Sequence, residues 1–355
     1  MLIPTPTAMG SLRWPVPQLD TVEDLAGWLG LTAGELDWFA DRRGWERTAG
    51  DERLRHYRGS WQRKHGGGLR LIESPKWRLK LLQRRLLDTL LEPIPPHEAA
   101  HGFRRGRSVT SLAAPHVGRH VVIHLDLEAF FAAVTGARTY GIFRTAGYAE
   151  PVAHALTALM TTVTSLAVGQ AAPSPTASTD LDARFRLGRA LAVPHLPQGA
   201  PSSPALANLA AYRLDRRLAG LASSWGARYT RYADDLAFSG DRDLRRAAST
   251  FTALVRQVVA DEGFRLHARK TTVTGPGRRQ QLAGIVVNQR ATIARSEVDR
   301  LRATLHNATR TGPQAQNRSG HRDYRGHLLG RVTWVESVDP ARGARLRAEF
   351  ELIQW

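Results

Sequence analysis

The stretch RYTRYADDLAFSG, residues 228–240, constrains this chain more than any other. Its Tyr, Thr, Leu and Phe fall at near-alternating positions, the pattern of a half-buried strand with a tight turn in it. Asp234 and Asp235 stand side by side inside that pattern. Adjacent carboxylates repel each other and lose hydration on burial, so something positive has to sit between them. A second stretch, VVIHLDLEAFFAAV (121–134), opens as a continuous apolar strand with one embedded acid, Asp126. Three aspartates on strands of one sheet make a hard-oxygen donor set suited to Mg²⁺. Two such ions can activate a 3′-hydroxyl and stabilise a leaving pyrophosphate in an in-line displacement.

Composition says what surrounds those acids. The chain has 355 residues, enough for two or three packed units, and 42% of them are hydrophobic. No apolar run is long enough for a transmembrane helix, so no membrane partner is expected. MLIPTPTAMGSLRWP lacks the pattern of a secretory signal. The chain has no cysteine, which removes disulfides and thiolate zinc sites and fits a cytoplasmic protein. The 13 histidines are scattered, and none is read as a zinc ligand. The net charge is +18 and the pI about 11.2, which points to a polyanion, nucleic acid first. Only four of the 50 basic residues are lysines: Lys64, Lys76, Lys80 and Lys270. They stand out because lysine can give up its proton and arginine cannot.

Along the chain, residues 20–43 read as two short helices with Leu25, Trp28 and Leu29 on one face and Leu36, Trp38 and Phe39 marking the next. Residues 51–68 are basic and end in HGGG, read as a flexible turn. LRLIESPKWRLKLLQRRLLDTLLEPIPP reads as a strand, a proline break and a long helix ended by Pro93, Pro95 and Pro96. Residues 61–107 carry eleven Lys or Arg against four acids and include HGFRRGRS, where glycines flank Arg104, Arg105 and Arg107. That arrangement suits close approach to a phosphate backbone. Residues 149–168 read as helix, and 169–182 as a flexible surface loop poor in large apolar residues. A Gly/Pro turn at 195–202 opens a helix from about Ser203, and 242–262 reads as an amphipathic helix. FRLHARKTTVT and QQLAGIVVN read as two strands, and 295–352 as helices broken at Gly312-Pro313 and Asp339-Pro340. Strands alternating with helices, with a hairpin at the acidic pair, give an α+β sheet unit.

YADD in a hairpin with an upstream DLEAFF resembles the palm of reverse transcriptases. The companions occur in order. LRLIESPKWRLKLLQRRLLDTLL looks like the fingers segment of bacterial reverse transcriptases and AHGFRRGRS like their next block. LPQGAPSSPALANL is similar to the nucleotide-binding and template-positioning motif, GFRLHARKTTV to the lysine-bearing motif, and QLAGIVVN to the primer-grip turn. The resemblance covers about residues 20–355 and is strongest to retron-type enzymes. HLLGRVTWVESVDPARGARLRAEFELI looks like a retron-type thumb, and Val273 to Gly275 match a short retron motif. On this resemblance no maturase-like or endonuclease-like extension is expected after the thumb. One departure is that the retron pattern Asn-Ala-x-x-His aligns with Leu112-Ala113-Ala114-Pro115-His116.

The resemblance implies a right-hand polymerase of the α+β class with fingers, an antiparallel palm sheet and a helical thumb. The expected divisions are a helical segment over 1–60, fingers over 61–120, a palm over 121–290 with a fingers insertion at about 135–195, and a thumb over 291–355. It implies that Asp126, Asp234 and Asp235, with the Leu127 backbone carbonyl, hold two Mg²⁺ ions, with Mn²⁺ as the alternative. Lys270 would protonate the leaving pyrophosphate, although a plain ion-pairing lysine fits the same position. Arg70 and Lys80, or Lys76 in its place, would clamp triphosphate oxygens, and Gln198 would contact the incoming nucleotide. Phe131 would pack under its sugar and select dNTP over rNTP, unless it is a core residue. On a strand, Phe130 and Phe131 cannot both point the same way. Arg104, Arg105, Arg107, Tyr232 and Gly284 would touch nucleic acid. The implied activity is RNA-directed DNA polymerisation on a cognate structured non-coding RNA, primed from a guanosine 2′-hydroxyl. Its product would be RNA-linked single-stranded DNA, and an effector protein would act with it in antiphage defence. The alternatives are another bacterial reverse transcriptase, whether group II intron-like, diversity-generating or defence-associated, and an idle RNA-binding protein on the same scaffold.

Overall fold

Three antiparallel sheets organise the described residues. The structure is a computed structural model, and it describes residues 10–63, 68–174 and 181–355. β1 (Tyr57–Arg63) and β2 (Leu69–Pro75) form a hairpin. β3 (Val121–Asp126), β4 (Arg228–Tyr232), β5 (Asp235–Gly240) and β6 (Thr272–Thr274) form a four-stranded sheet in the order β4-β5-β3-β6. β7 (Gln281–Leu282), β8 (Ile285–Val286) and β9 (Thr292–Ile293) form the third. The chain divides into two compact units: Met1–Phe103, Leu127–Arg217 and Gln257–Leu266 make the first, and Arg104–Asp126, Leu218–Arg256 and His267–Trp355 the second.

In the first unit the helices Val22–Leu29 and Ala33–Ala40 start at matching capping boxes, Thr21 with Asp24 and Thr32 with Glu35. The helix Glu150–Met160 buries Val152, Leu156, Leu159 and Met160 at helical spacing. The helix Trp77–Leu86 runs directly into a π-turn at Leu87–Leu91. Its buried face carries one amide, Gln83, whose Nε2 donates to Tyr57 Oη (2.8 Å) and to the Leu159 carbonyl (2.9 Å). Those bonds offset the cost of burying a polar group there. A small apolar cluster of Leu71, Ala132 and Leu191 ties β2 to the segment after β3.

In the second unit the four-stranded sheet and the C-terminal helices share one core. Val122 and Ala237 from the sheet join Leu305, Leu328, Val332 and Leu346 from the helices Arg295–Thr311, Tyr324–Val338 and Pro340–Glu351. The helix breaks fall at Gly312-Pro313 and Asp339-Pro340, as expected from the sequence.

Several local expectations change. The strand through 121–134 stops at Asp126. Ala129 takes a left-handed φ of 49°, and Phe130–Ala133 is a single helical turn, so the strand-alternation argument for the two phenylalanines does not apply. QQLAGIVVN is two short strands, because Ala283 (φ 45°) and Gly284 (φ 88°) form a two-residue hairpin turn. FRLHARKTTVT contributes only β6 to a sheet, after a 3₁₀ turn at Ala268–Lys270. The helix expected over 149–168 ends at Met160, and a separate turn of helix covers Leu166–Gln170. Of the loop read over 169–182, helix reaches Gln170 and resumes at Leu181, and 175–180 lie outside the described residues. The HGGG turn also lies outside them, apart from Gly68.

Candidate active site

The acids gather because of strand register. β3 and β5 pair so that Asp126 lies directly opposite Asp235, and His124 opposite Ala237. Residues directly opposite one another point to the same face. His124, two residues before Asp126, therefore shares that face with both acids. On the other side of β3, His124 pairs with Thr272 of β6. The same register, run on by two residues, brings Lys270 level with Asp126, and its Nζ donates to Asp126 Oδ2 at 2.8 Å. His124 Nε2 donates to Asp235 Oδ1 at 2.9 Å. The two opposed acids each find a donor: the Lys270 ammonium for Asp126 and the His124 imidazole for Asp235.

Asp234 is placed by the hairpin. Tyr232 pairs with Asp235 across a two-residue loop, Ala233–Asp234, and Ala233 is held at φ 54°. A left-handed alanine costs about 1–2 kcal/mol, so the surroundings must impose it. The fully buried Arg231 is one of the restraints: its guanidinium donates to the Ala233 carbonyl at 3.0 Å. Burial pushes the Asp234 carboxyl up, and the Asp235 and Asp126 charges push it further, against its own backbone N–H and Lys270. No side-chain donor among the described residues is bonded to Asp234.

Below the hairpin His116 is completely buried, with Nε2 2.7 Å from Thr230 Oγ1 and Nδ1 2.7 Å from Ser239 Oγ. Thr230 Oγ1 also donates to the Leu112 carbonyl, so it accepts from Nε2–H, and Nδ1 accepts from Ser239. Leu112, where the retron pattern has Asn, is 1% exposed within the second unit's apolar core. The departure is a core substitution and leaves the His116 link between β4 and β5 in place.

The remaining second-unit positions follow from turns. Arg104 and Arg107 bracket a tight turn with Gly106 at φ 71°, and Arg105 and Arg107 are exposed. Tyr232 is half-buried at the end of β4. Gly284 sits over the Trp334 ring, which a Cβ there would meet at 3.6 Å.

The first unit collects the residues expected to bind nucleotide. Arg70 is exposed on β2. Glu73, on the same strand, donates its backbone N–H to the Gln198 carbonyl at 2.8 Å. Gly199 follows at φ 134°, and a Cβ there would stand 3.0 Å from the Glu73 carbonyl oxygen. The close backbone approach that requires this glycine is thus to β2. Phe131 lies half-buried against Phe103 and Phe130, with centroids 6.2 and 5.8 Å away, and its neighbour Ala132 packs in the cluster with Leu71. Lys80 is exposed on its helix, whereas Lys76 Nζ is engaged by the Glu52 and Arg53 carbonyls. Of the two lysines, only Lys80 is left for a ligand. Leu127 pairs with Leu266 in an isolated bridge. The bonds flanking it are Glu128 N–H to Arg265 and His267 N–H to Asp126, which leave the Leu127 carbonyl out.

Sequence reasoning missed three groups. His124 was legible from strand period two. Arg231 reads in sequence as one more surface arginine. Glu73 gives no local signal: its Oε2 meets His195 Nε2 at 2.8 Å and its Oε1 accepts from Thr164 Oγ1 at 2.7 Å, across three separate segments.

Three carboxylates fit a hard divalent cation by donor chemistry, and the charge repulsion on Asp234 is what such a cation relieves. As the side chains stand, no three His, Cys, Asp or Glu residues among those described are gathered around one metal position. Two of the acids are turned toward Lys270 and His124 instead.

This geometry has counterparts among known proteins. The family model described as "Reverse transcriptase (RNA-dependent DNA polymerase)" matches residues 62–282. The chain belongs to the reverse transcriptase family, the class of α+β right-hand polymerases, and it is an RNA-directed DNA polymerase. Retron enzymes are among its relatives. It is 41% identical to the retron Mx65 reverse transcriptase of Myxococcus xanthus, over 94% of this chain and 72% of that protein. It is 36% identical to the retron Mx162 reverse transcriptase of the same organism, over 94% of this chain and 67% of that one. To the retron Ec86 reverse transcriptase of Escherichia coli it is 29% identical, over 78% of this chain and 74% of that one. No described helix is long and apolar enough to cross a membrane.

Proposed function

We propose that this enzyme copies a cognate structured non-coding RNA into single-stranded DNA that stays linked to the RNA, and that it acts with an effector protein in antiphage defence. The observation that carries the polymerase chemistry is the register that sets Asp126 against Asp235 with Lys270 bonded alongside. The retron assignment is supported by the identities to retron reverse transcriptases over most of the chain. In this reading fingers span 61–120, the palm 121–290 with an insertion at about 135–195, and the thumb 291–355.

Asp126, Asp234, Asp235 and the Leu127 carbonyl would hold the divalent ions. When bound, two Mg²⁺ ions, or Mn²⁺, supply Lewis acidity toward the attacking hydroxyl and the pyrophosphate. The chain's own groups do the rest. Arg70 and Lys80 bind triphosphate oxygens, Gln198 contacts the incoming nucleotide, and Phe131 excludes a ribose 2′-hydroxyl. The primer hydroxyl gives up its proton to water, its oxygen bonds to the α-phosphorus, and the bond to pyrophosphate breaks. Lys270 Nζ donates a proton to that leaving group. Arg104, Arg105, Arg107, Tyr232 and Gly284 contact template and primer.

Two measurements test the reading. Wild type with Mg²⁺ should incorporate dNTP on a primed RNA template; chelation should abolish it and Asp234→Asn should cut it by at least about a hundredfold. Nucleic acid from cells expressing the locus should contain an RNA-linked DNA that shortens on debranching. Its absence alongside active polymerisation refutes the retron step alone.

A further inference from the structure

We propose that His124 and Lys270 act as a metal-displaceable latch, in which each holds one catalytic carboxylate until a divalent cation binds and takes its place. The inference rests on the metal-holding reading above.

Three observations lead to it. Asp126 and Asp235 are directly opposed across β3 and β5, and like charges so placed destabilise a strand pair. Each has found its own donor on the same face: Lys270 Nζ at 2.8 Å and His124 Nε2 at 2.9 Å. In that arrangement no three acidic or imidazole side chains converge on one metal position among the described residues. For the three aspartates to close on a cation, the carboxylates of Asp126 and Asp235 must turn from these donors. In the latch, the donors hold one oxygen of each carboxylate, Asp126 Oδ2 and Asp235 Oδ1, and the turn toward a cation breaks both bonds.

His124 is the residue that separates this idea from others. Lys270 has a proposed role in proton transfer, but His124 has none. It is a positioning residue that acts through Asp235. Its side chain is mostly covered and sits mid-strand, between Ala237 and Thr272. Competition predicts an effect opposite in sign to that of a residue that merely supports the site. Losing His124 should destabilise the metal-free chain and tighten metal binding.

The test uses the full chain without template or nucleotide. Mn²⁺ binding is followed by loss of the free-ion EPR signal, and thermal midpoints are recorded with and without Mn²⁺, for wild type, His124→Leu, His124→Gln and Asp235→Asn. His124→Leu should bind Mn²⁺ roughly two- to tenfold more tightly, the span of one net hydrogen bond. Its midpoint should fall without metal and recover with it. His124→Gln keeps an N–H donor and should lie near wild type. If Asp235→Asn loses binding while His124→Leu binds as wild type does, or more weakly, the latch is refuted and the metal reading stands. If Asp235→Asn binds Mn²⁺ as well as wild type, the metal reading fails and the latch fails with it. A misfolded His124→Leu would show no cooperative transition in either condition, and His124→Gln against wild type with Lys270→Met then decides. Tighter binding in Lys270→Met supports the latch, and unchanged or weaker binding overturns it.

Discussion

Gly199→Ala is the sharpest test of how the nucleotide-binding motif is held. Gly199 has φ 134°, where a Cβ is strained whatever the space around it. The Cβ would also stand 3.0 Å from the Glu73 carbonyl oxygen, 3.2 Å from Ser74 Oγ and 3.3 Å from the Glu73 carbonyl carbon. Two of these atoms are backbone and cannot rotate away. Glu73 cannot give way easily, since its N–H is bonded to Gln198 and its carboxylate to His195 and Thr164. Backbone strain of this kind costs about 1–3 kcal/mol, and relieving the contact by parting β2 from Gln198 costs roughly another 0.5–1.5 kcal/mol for the lost bond. The expected loss is therefore about 2–4 kcal/mol. At roughly 2–4 °C per kcal/mol for a unit of this size, the thermal midpoint should fall by about 4–16 °C. Because Gln198 moves with the strand contact, KM for dNTP should rise more than kcat falls. A variant with unchanged midpoint and unchanged KM would show that Gly199 is not pinned against β2, and the reasoning would fail.

Four further outcomes follow from the same geometry. Asp234→Asn should cut incorporation by roughly 10²–10⁴-fold. It should also raise the metal-free thermal midpoint: a carboxyl pushed up by burial and by the Asp235 and Asp126 charges destabilises the fold once it ionises, and the amide carries no such charge. Arg231→Met should lower stability by about 3–5 kcal/mol by stranding the groups around a fully buried guanidinium, measured by denaturant titration, with Arg231→Lys intermediate. Glu46 is pushed up to about 7, chiefly by burial, so its contribution is full below its unfolded value near 4.5 and is lost as pH rises through 7. Glu46→Gln keeps an acceptor for the His56 and Tyr57 N–H groups and should match wild type at pH 4.5 but gain on the order of 1–3 kcal/mol at pH 8. Leu112→Asn, which restores the retron pattern, should destabilise by about 1–3 kcal/mol, because the site is apolar and 1% exposed.

The acidic hairpin was legible because its signals are local. Alternation, a tight turn and Asp234-Asp235 in sequence define strand, turn and charge together, and β4 and β5 follow that reading, except that Asp234 falls in the turn rather than on a strand. The C-terminal breaks were legible for a similar reason, since Gly-Pro and Asp-Pro act on the backbone where they stand. Phe131 was misplaced on a strand because nothing local announces the end of β3 at Asp126 or the left-handed Ala129 that opens the helical turn after it. QQLAGIVVN hid its hairpin because Ala283 is an unfavoured residue for a left-handed turn.

The order of residues alone supplied the chemistry: three aspartates in or beside apolar strands, a scarce lysine downstream, a strongly basic chain and an ordered series of motifs. Tertiary structure decided the pairings. That Asp126 opposes Asp235, that Lys270 reaches the first and His124 the second, and that Glu73 locks His195 and Thr164 all depend on register between segments up to 144 residues apart. A strand's pattern states which face is buried. Which strand it meets, and in what register, is settled only when the whole sheet buries its faces together, because a slip of one residue turns every side chain to the other side.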